Sequence, residues 1–442
     1  MKKTLIYIYI PSEFNFIKQL ILYLKYENIS HPIVLLDHNT HDLSKMEIEC
    51  KKKDIDFINI NKKETFKKTK NNSTQVTKKP ILNRKKDVCD ICLFIYRTFK
   101  VALFFKKKKN FYKNIITNNR ISSVICLTQG IAYNSSFLIA AAKKLNKKTI
   151  VIPFAITKEG LANKLKDNPT FSYKRLYNRV AYPLIKEFYI NYKGRGIISK
   201  LPQEAMALKI LGISSKNPWS AYAGKADYII SESPFMTKSL IEEKINSEKI
   251  LELGSPIFFD NNKDNNSNFI LLSLPPIDIK KSGLPEFKTN IEAVTFIFKT
   301  IYSLNYNNVI INLHPRSDSN SFKDLIEKYN FLLSEDPIES LIPNCWFYIA
   351  FVSSTIKWAI ANSKPVINYD IFHYNYSHFN TNKGVLNIYD RNDFKKTLHK
   401  ISSDKDFFND LKSSQAKDSI FYGIPLNQSK DNYARFIEKN LT

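Results

Sequence analysis

Cysteine is scarce in this chain. Cys50, Cys89, Cys92, Cys126 and Cys345 are the only five in 442 residues. An odd, scattered set argues against a disulfide framework and for a reducing compartment. Cys89-Asp-Ile-Cys92 has CxxC spacing, but no second pair and no histidine stands near it. Its thiols therefore read as part of an apolar helix rather than a metal or redox site. The seven histidines, among them His31, His38 and His41, show no metal spacing. Acidic residues are also short, 41 Asp+Glu against 67 Lys+Arg, which leaves a formal net charge of +26. Such an imbalance favours an anionic partner: nucleic acid, phospholipid headgroups, or an acidic glycan or nucleotide. Arginine-rich stripes with interleaved aromatics are missing, so nucleic acid is not the expected one.

Long apolar runs are missing too. No uninterrupted stretch reaches the ~18 residues of a membrane-spanning helix. Met1-Lys2-Lys3 leads into TLIYIYI, but Pro11-Ser12-Glu13 follows at once. That run is too short for a signal peptide and reads as a buried first strand. There is no GxxxxGK[ST] loop, no GxGxxG after the first strand, and no GxSxG elbow. Asp54-Ile55-Asp56 is a lone DxD in a lysine-rich setting. It is not expected to hold a metal for a nucleotide sugar, and no other cofactor is expected. No internal repeat is visible. These absences together suggest a cytoplasmic protein, and the basic aromatic helix at 88–114 would place it peripherally on the inner face of the plasma membrane.

What is present suffices for a packed core: 43% of residues are hydrophobic and 13% aromatic. The length suggests two or three domains. Residues 4–10 read as a strand, 13–26 as a helix, and the IVLLD run as the next strand, the rhythm of a parallel α/β sheet. A lysine- and asparagine-rich loop at 62–86 interrupts it. An aromatic helix over 88–114 follows, carrying Arg97 and Lys100 and ending in Lys106 to Lys109. A basic amphipathic helix of this kind can lie on an anionic membrane face, and otherwise packs on the sheet with a solvated lysine cap. The parallel pattern resumes and continues to about residue 258. The polar stretch FDNNKDNNSNF, residues 259–269, reads as a linker. A second α/β half begins at residue 270, with a helix expected over 285–303 and only helices in the tail, some crossing back to the first half. Two Rossmann-like domains facing each other across a ligand cleft are the expected architecture, with ligands at the carboxyl ends of the strands.

The polar residues at strand ends are then the candidates. His314-Pro315-Arg316 ends an apolar strand: proline stops the ladder, histidine can donate to phosphate or act as an acid, and arginine offers a planar fork. A strand-ending proline beside a solvated histidine is the plain alternative. Ser353-Ser354-Thr355 joins a later strand to a helix. Ser353 suits an N-cap, and one hydroxyl would be enough for capping; Lys357, one turn on, could add charge. Ser273, near the end of the first strand of this half, is a further nucleotide contact. In the first half, Glu159, between Lys158 and Gly160, follows a strand end and could act as a base for an acceptor hydroxyl. Asp227 and Glu232 are weaker rivals. Asn217-Pro218-Trp219, with Gly224 nearby, forms a loop whose indole could stack on an acceptor sugar.

Two Rossmann-like halves with His314-Pro315 after one strand and Ser353-Ser354 after the next resemble GT-B glycosyltransferases of bacterial surface polysaccharide synthesis. The motifs are similar to those of bacterial sialyltransferases, polysialyltransferases and capsule Kdo transferases, and CDP-glycerol glycerophosphotransferases share a related arrangement. The segment NPWSAYAGKADYIISES and the KILELGSP that follows also resemble transferases of this type, and the likeness covers residues 215–375. It implies transfer of an acidic sugar, a nonulosonic acid or Kdo, from a CMP-activated donor to a glycan or glycolipid acceptor in capsule or lipopolysaccharide synthesis. It implies that His314 and Ser353/Ser354 hold the departing phosphate, with His314 as its proton donor, and that no metal is needed. In the family an acidic pair before glycine holds the base; here Glu159 matches one member and Lys158 replaces the other. A CDP-glycerol-type polyol-phosphate transferase and a nucleotide-sugar 2-epimerase are the alternatives.

Overall fold

The computed structural model describes residues 2–37, 42–60, 84–130, 134–153, 155, 160–257, 268–275, 284–306, 308–314, 317, 319–424 and 426–441. The expected linker at 259–269 and lysine-rich loop at 62–86 lie almost wholly outside these residues. The chain separates into two compact units, Met1–Ser231 with Thr237–Glu252 and the stretch from Tyr433 onward, and Glu232–Met236 with Leu253–Asn432.

Unit 1 is built on the strands β1 (Lys3–Ile8), β2 (His31–Leu36), β3 (Asp56–Asn59), β4 (Ile121–Cys126), β5 (Lys148–Val151), β8 (Tyr228–Ser231) and β9 (Ile250–Glu252), with a hairpin β6 (Tyr189–Tyr192) and β7 (Arg195–Ile198) apart from them. The seven strands pair in parallel in the order β3-β2-β1-β4-β5-β8-β9. A parallel sheet is covered on both faces, which is why β1 buries Leu5, Ile6, Tyr7 and Ile8 in succession instead of alternating. Its helices are α1 (Pro11–Tyr26), α2 (Asp42–Lys52), α3 (Arg84–Asn118), α4 (Ser135–Lys144), α5 (Gly160–Leu165), α6 (Leu176–Ile185) and α7 (Pro202–Ile210), with α8 (Pro234–Glu242) starting in the other unit's sequence and ending in this one. In α1, Phe14, Ile17, Ile21 and Leu24 recur at helical spacing and are buried, and Pro11 opens the helix where its missing N–H is harmless.

Unit 2 has strands β10 (Ile270–Leu274), β11 (Val309–Leu313), β12 (Leu332–Ser334), β13 (Phe347–Ala350), β14 (Val366–Tyr369) and β15 (Val385–Ile388), all parallel, in the order β12-β11-β10-β13-β14-β15. This is the doubly wound order, and its direction of travel reverses between β10 and β13. The helices are α9 (Asn290–Tyr302), α10 (Lys323–Lys328), α11 (Ile338–Leu341), α12 (Ile356–Ala361), α13 (Arg391–Ser403), α14 (Lys405–Tyr422) and α15 (Leu426–Leu441). Leu272, Ile311, Ile349 and Ile367, from four adjacent strands, meet Val294, Ile297 and Phe298 of α9 in one core. Each such side chain contributes about 1.5–3 kcal/mol on burial. The end of α15 belongs with unit 1: Phe436 meets the Tyr228 ring edge-on at 5.3 Å, and the Tyr228 hydroxyl donates to Asn440 Oδ1 at 2.9 Å.

The α/β class and the two Rossmann-type halves follow the expectation. Several elements depart from it. The helix expected at 88–114 runs from Arg84 to Asn118, so Lys106 to Lys109 lie in its body and form no terminal cap. The helix expected from 285 begins at Asn290, where Thr289 Oγ1 accepts the Glu292 N–H at 3.0 Å. β12 lies between the two motif-bearing strands in sequence, and β15 lies in a tail that was expected to be helical throughout. The β6–β7 hairpin turns at Lys193 and Gly194, both at positive φ (48° and 75°), as a two-residue turn matched to strand twist requires.

Candidate functional site

Three strand ends of unit 2 carry the expected nucleotide-binding residues. Ser273 pairs with Asn312 and Leu274 with Leu313, so His314 follows at the tip of β11, where its N–H donates to the Leu274 carbonyl at 3.0 Å. The Ser317 N–H donates back to the His314 carbonyl at 2.8 Å and closes a turn. Pro315 and Arg316 lie outside the described residues. β10 stands between β11 and β13, so the two motifs flank it instead of adjoining. Neighbouring strands are about 4.8 Å apart, which sets the His314 and Ser353 strand axes about 10 Å from each other.

At the other side of β10 the site is tied together by a residue the sequence reading passed over. Tyr348 lies in β13 and is fully buried. Its hydroxyl bonds Thr355 Oγ1 at 2.6 Å and also reaches Ser273 and Ser353. Burial pushes this phenol up to about 12, against the opposing pull of those three hydroxyls. Ser353 Oγ bonds Thr355 Oγ1 at 2.7 Å and accepts the Thr355 N–H at 3.2 Å. Ser353 therefore makes a side-chain turn two residues on, and the N-cap position falls to Thr355, without a side-chain cap bond. The Ser354 hydroxyl is partly exposed and makes no hydrogen bond among the described residues.

The loop's backbone is held in an unusual state. Val352 has φ of +54°, a region that β-branched residues seldom enter. Its N–H donates to Asn368 Oδ1 at 2.8 Å, and Asn368 Nδ2 donates to Asn387 Oδ1 at 2.7 Å. Two asparagines from β14 and β15 thus fix the conformation that presents Ser353, Ser354 and Thr355. Lys357 does not add charge to this loop: it is buried in an ion pair with Glu232, whose other oxygen accepts the Trp358 Nε1–H at 3.3 Å. That contact also removes Glu232 from the candidate bases.

In unit 1, Lys158 and Glu159 lie outside the described residues. The Asn217 amide donates to the Glu243 carbonyl at 2.7 Å and its oxygen accepts the Trp219 N–H at 3.1 Å, so the side chain shapes its own loop. Trp219 is half-buried against Ala162, Leu165 and Ile197, with its Nε1 buried and unpartnered among the described residues. Gly224 is packed so closely on Gln129 that a Cβ would collide with its side chain at 2.5 Å. Asp227 receives Lys143 and the Thr149 N–H and hydroxyl (2.9 and 2.8 Å). Burial alone would raise its carboxyl, and these donors outweigh it and hold it low. Asp54 pairs with Lys25 at 2.8 Å and Asp56 with His31 at 2.7 Å, so each acid of the DxD has a basic partner.

Unit 1 has a polar cluster of its own at the carboxyl ends of β1 and β2. Asp37 Oδ2 accepts the Tyr7 hydroxyl (2.6 Å), the Tyr112 hydroxyl (2.8 Å) and Asn134 Nδ2 (3.0 Å). Lys108 Nζ donates to Asn134 Oδ1 at 2.6 Å. Glu13, at the start of α1, accepts the Tyr9 N–H at 2.6 Å, and burial pushes its carboxyl up to about 7. Among the described residues no group of three His, Cys, Asp or Glu converges to hold a metal ion, and no helix is long and apolar enough to cross a membrane.

No family model matches the chain, and no curated protein matches it. Solved structures share its fold. S. aureus MnaA, solved with UDP, superposes with a TM-score of 0.54 at 12% identity, covering 100% of this chain and 97% of that one. The UDP-GlcNAc 2-epimerase of Neisseria meningitidis, bound to UDP-GlcNAc, gives 0.52 at 12% identity, covering 100% of both. The wall teichoic acid polymerase TagF gives 0.51 at 11% identity, covering 100% of this chain and 90% of that one. At such identities the likeness establishes the two-Rossmann architecture across the whole chain.

Proposed function

We propose that the protein is a glycosyltransferase using a nucleotide-activated sugar, and that the carboxyl rim of β10, β11 and β13 receives the donor's phosphate. The observation that carries this reading is the Val352 loop: a strained turn, pinned by Asn368, offers hydroxyls beside the reversal point of a doubly wound sheet. Ligands of such sheets bind at that point. In this reading Ser353, Ser354, Thr355 and Ser273 donate to phosphate oxygens, His314 faces the same anion from the other side of β10, and Pro315 and Arg316 add to the nucleotide contacts. Charge that builds on a leaving phosphate is where such donors act most strongly. The donor is a CMP-linked acidic sugar and the acceptor a glycan or glycolipid of a capsule or lipopolysaccharide, as the HP and SS motifs suggest. Glu159 serves as base for the acceptor hydroxyl, and Trp219 and Asn217 bind the acceptor. Hydroxyls and imidazole supply the stabilising contacts without a metal.

The test is to incubate the purified protein with CMP-, CDP- and UDP-linked donors, with and without EDTA, and to follow nucleotide release. Release of CMP alone, indifferent to EDTA and lost in His314→Ala and Ser353→Ala, is the expected result. Release from a CDP-polyol identifies the polyol-phosphate transferase. Interconversion of a UDP-sugar without an acceptor identifies the epimerase, and loss of activity in EDTA overturns the metal-free reading.

A further inference from the structure

We infer that the outer face of α3 docks on the surface of an anionic lipid bilayer. At about 1.5 Å per residue α3 is roughly 50 Å long. Inward, Thr98, Tyr112 and Ile116 are buried, and Phe105 packs on Phe137 with ring centroids 5.0 Å apart. Outward, Ile95 and Phe99 are each 62% exposed, and Leu103 continues the same line of the helix at four-residue spacing. Tyr96 and Phe104 broaden that line and are exposed as well. α6 meets α3 where Phe94 and Tyr177 stack edge-on at 5.4 Å. Val180 and Leu184, three and seven residues beyond Tyr177, lie on the same side of α6 and are 60% and 53% exposed. An exposed apolar line of this kind marks a binding face.

Its charge decides what covers it. From Ile91 to Asn118 the sequence has no acidic residue, while Arg97, Lys100, Lys106 and Lys107 are all exposed on α3. A second copy of this chain would bring those cations against themselves in a two-fold contact. A nucleic acid would satisfy the cations but leave Ile95, Phe99 and Leu103 without a use. Anionic headgroups above an acyl boundary satisfy both: the apolar line sinks about 5–10 Å below the headgroups and the cations stay among them. The distribution fits this, with Lys100 held over the Tyr96 ring at 4.6 Å.

The full chain is sedimented with phosphatidylcholine vesicles with and without phosphatidylglycerol, at low and high salt. Binding only to the phosphatidylglycerol vesicles, weakened by salt, is expected. Phe99→Ser with Leu103→Ser removes binding, and Lys106→Gln with Lys107→Gln weakens it about thirtyfold, the factor for two cations at an anionic surface. All four positions are exposed, and unchanged thermal melting confirms the fold of each variant; the salt comparison needs no variant. Equal partitioning to both vesicle types, no binding to either, or wild-type binding by both variants overturns the inference. So does a dimer in solution that the apolar variant abolishes while vesicles stay unbound.

Discussion

Asn368 accepts the backbone N–H of Val352 at 2.8 Å and so holds a β-branched residue in the left-handed region. Such a conformation costs about 1–3 kcal/mol and persists only where its surroundings enforce it. Asn368→Ala leaves that part-buried N–H without its partner, and stability should fall by about 1–3 kcal/mol in urea denaturation. Val352→Gly removes the strain but frees the unfolded chain, so its net effect on stability should stay within about 1 kcal/mol. Nucleotide affinity, measured by titration calorimetry, should fall in both variants. Unaltered affinity in Asn368→Ala would show that the loop's shape does not matter for binding.

Tyr348→Phe deletes the hydroxyl that joins Ser273, Ser353 and Thr355. The lost hydrogen bonds should lower stability by about 1–2 kcal/mol. Nucleotide release should fall further than that loss of folded protein explains, because three donors lose their alignment together. Comparing turnover with folded fraction at one temperature checks it.

The buried pair Lys357 and Glu232 should show strong coupling. Lys357→Met alone strands a carboxylate and should cost about 3–5 kcal/mol. Adding Glu232→Gln, which still accepts from Trp358, should restore most of it. A double-mutant cycle in which the two losses simply add would show that the pair contributes no specific interaction.

Glu13 makes stability fall as pH rises. Burial lifts its carboxyl to about 7 in the folded protein against an ordinary 4.5. The folded state therefore favours the protonated form: its contribution is complete below about 4.5 and is lost through about pH 7, a change on the order of 3 kcal/mol. Glu13→Gln keeps an acceptor for the Tyr9 N–H and should flatten the stability profile across that window. An unchanged slope in the variant would assign the pH dependence to another group.

The parallel α/β halves were legible because buried parallel strands read as apolar runs between helical stretches. The motif tips were legible because His314 and Ser353 interrupt such runs with polar chemistry. Tyr348 and Asn368 were not, because a polar side chain inside an apolar strand looks like any other strand residue until its partner, five or more positions away, is known. The β6–β7 hairpin was hidden by its Lys-Gly turn, a weaker signal than Asn-Gly, in a Tyr- and Lys-rich part of the chain. The α9 start was written in the sequence as Thr289-Asn-Ile-Glu292, a capping pattern that places the helix N-terminus several residues later than apolar content alone suggests.

Unit 1 closes on a piece of chain made very late. Tyr228 finds Phe436 and Asn440 only after about two hundred further residues, Asn440 lying 212 positions on. During synthesis the first half leaves the ribosome with that side of its sheet still bare, and all of unit 2 must emerge before the closing helix arrives. Assembly from the amino end is therefore expected to pause at an open intermediate, the stage at which a chaperone would have something to hold.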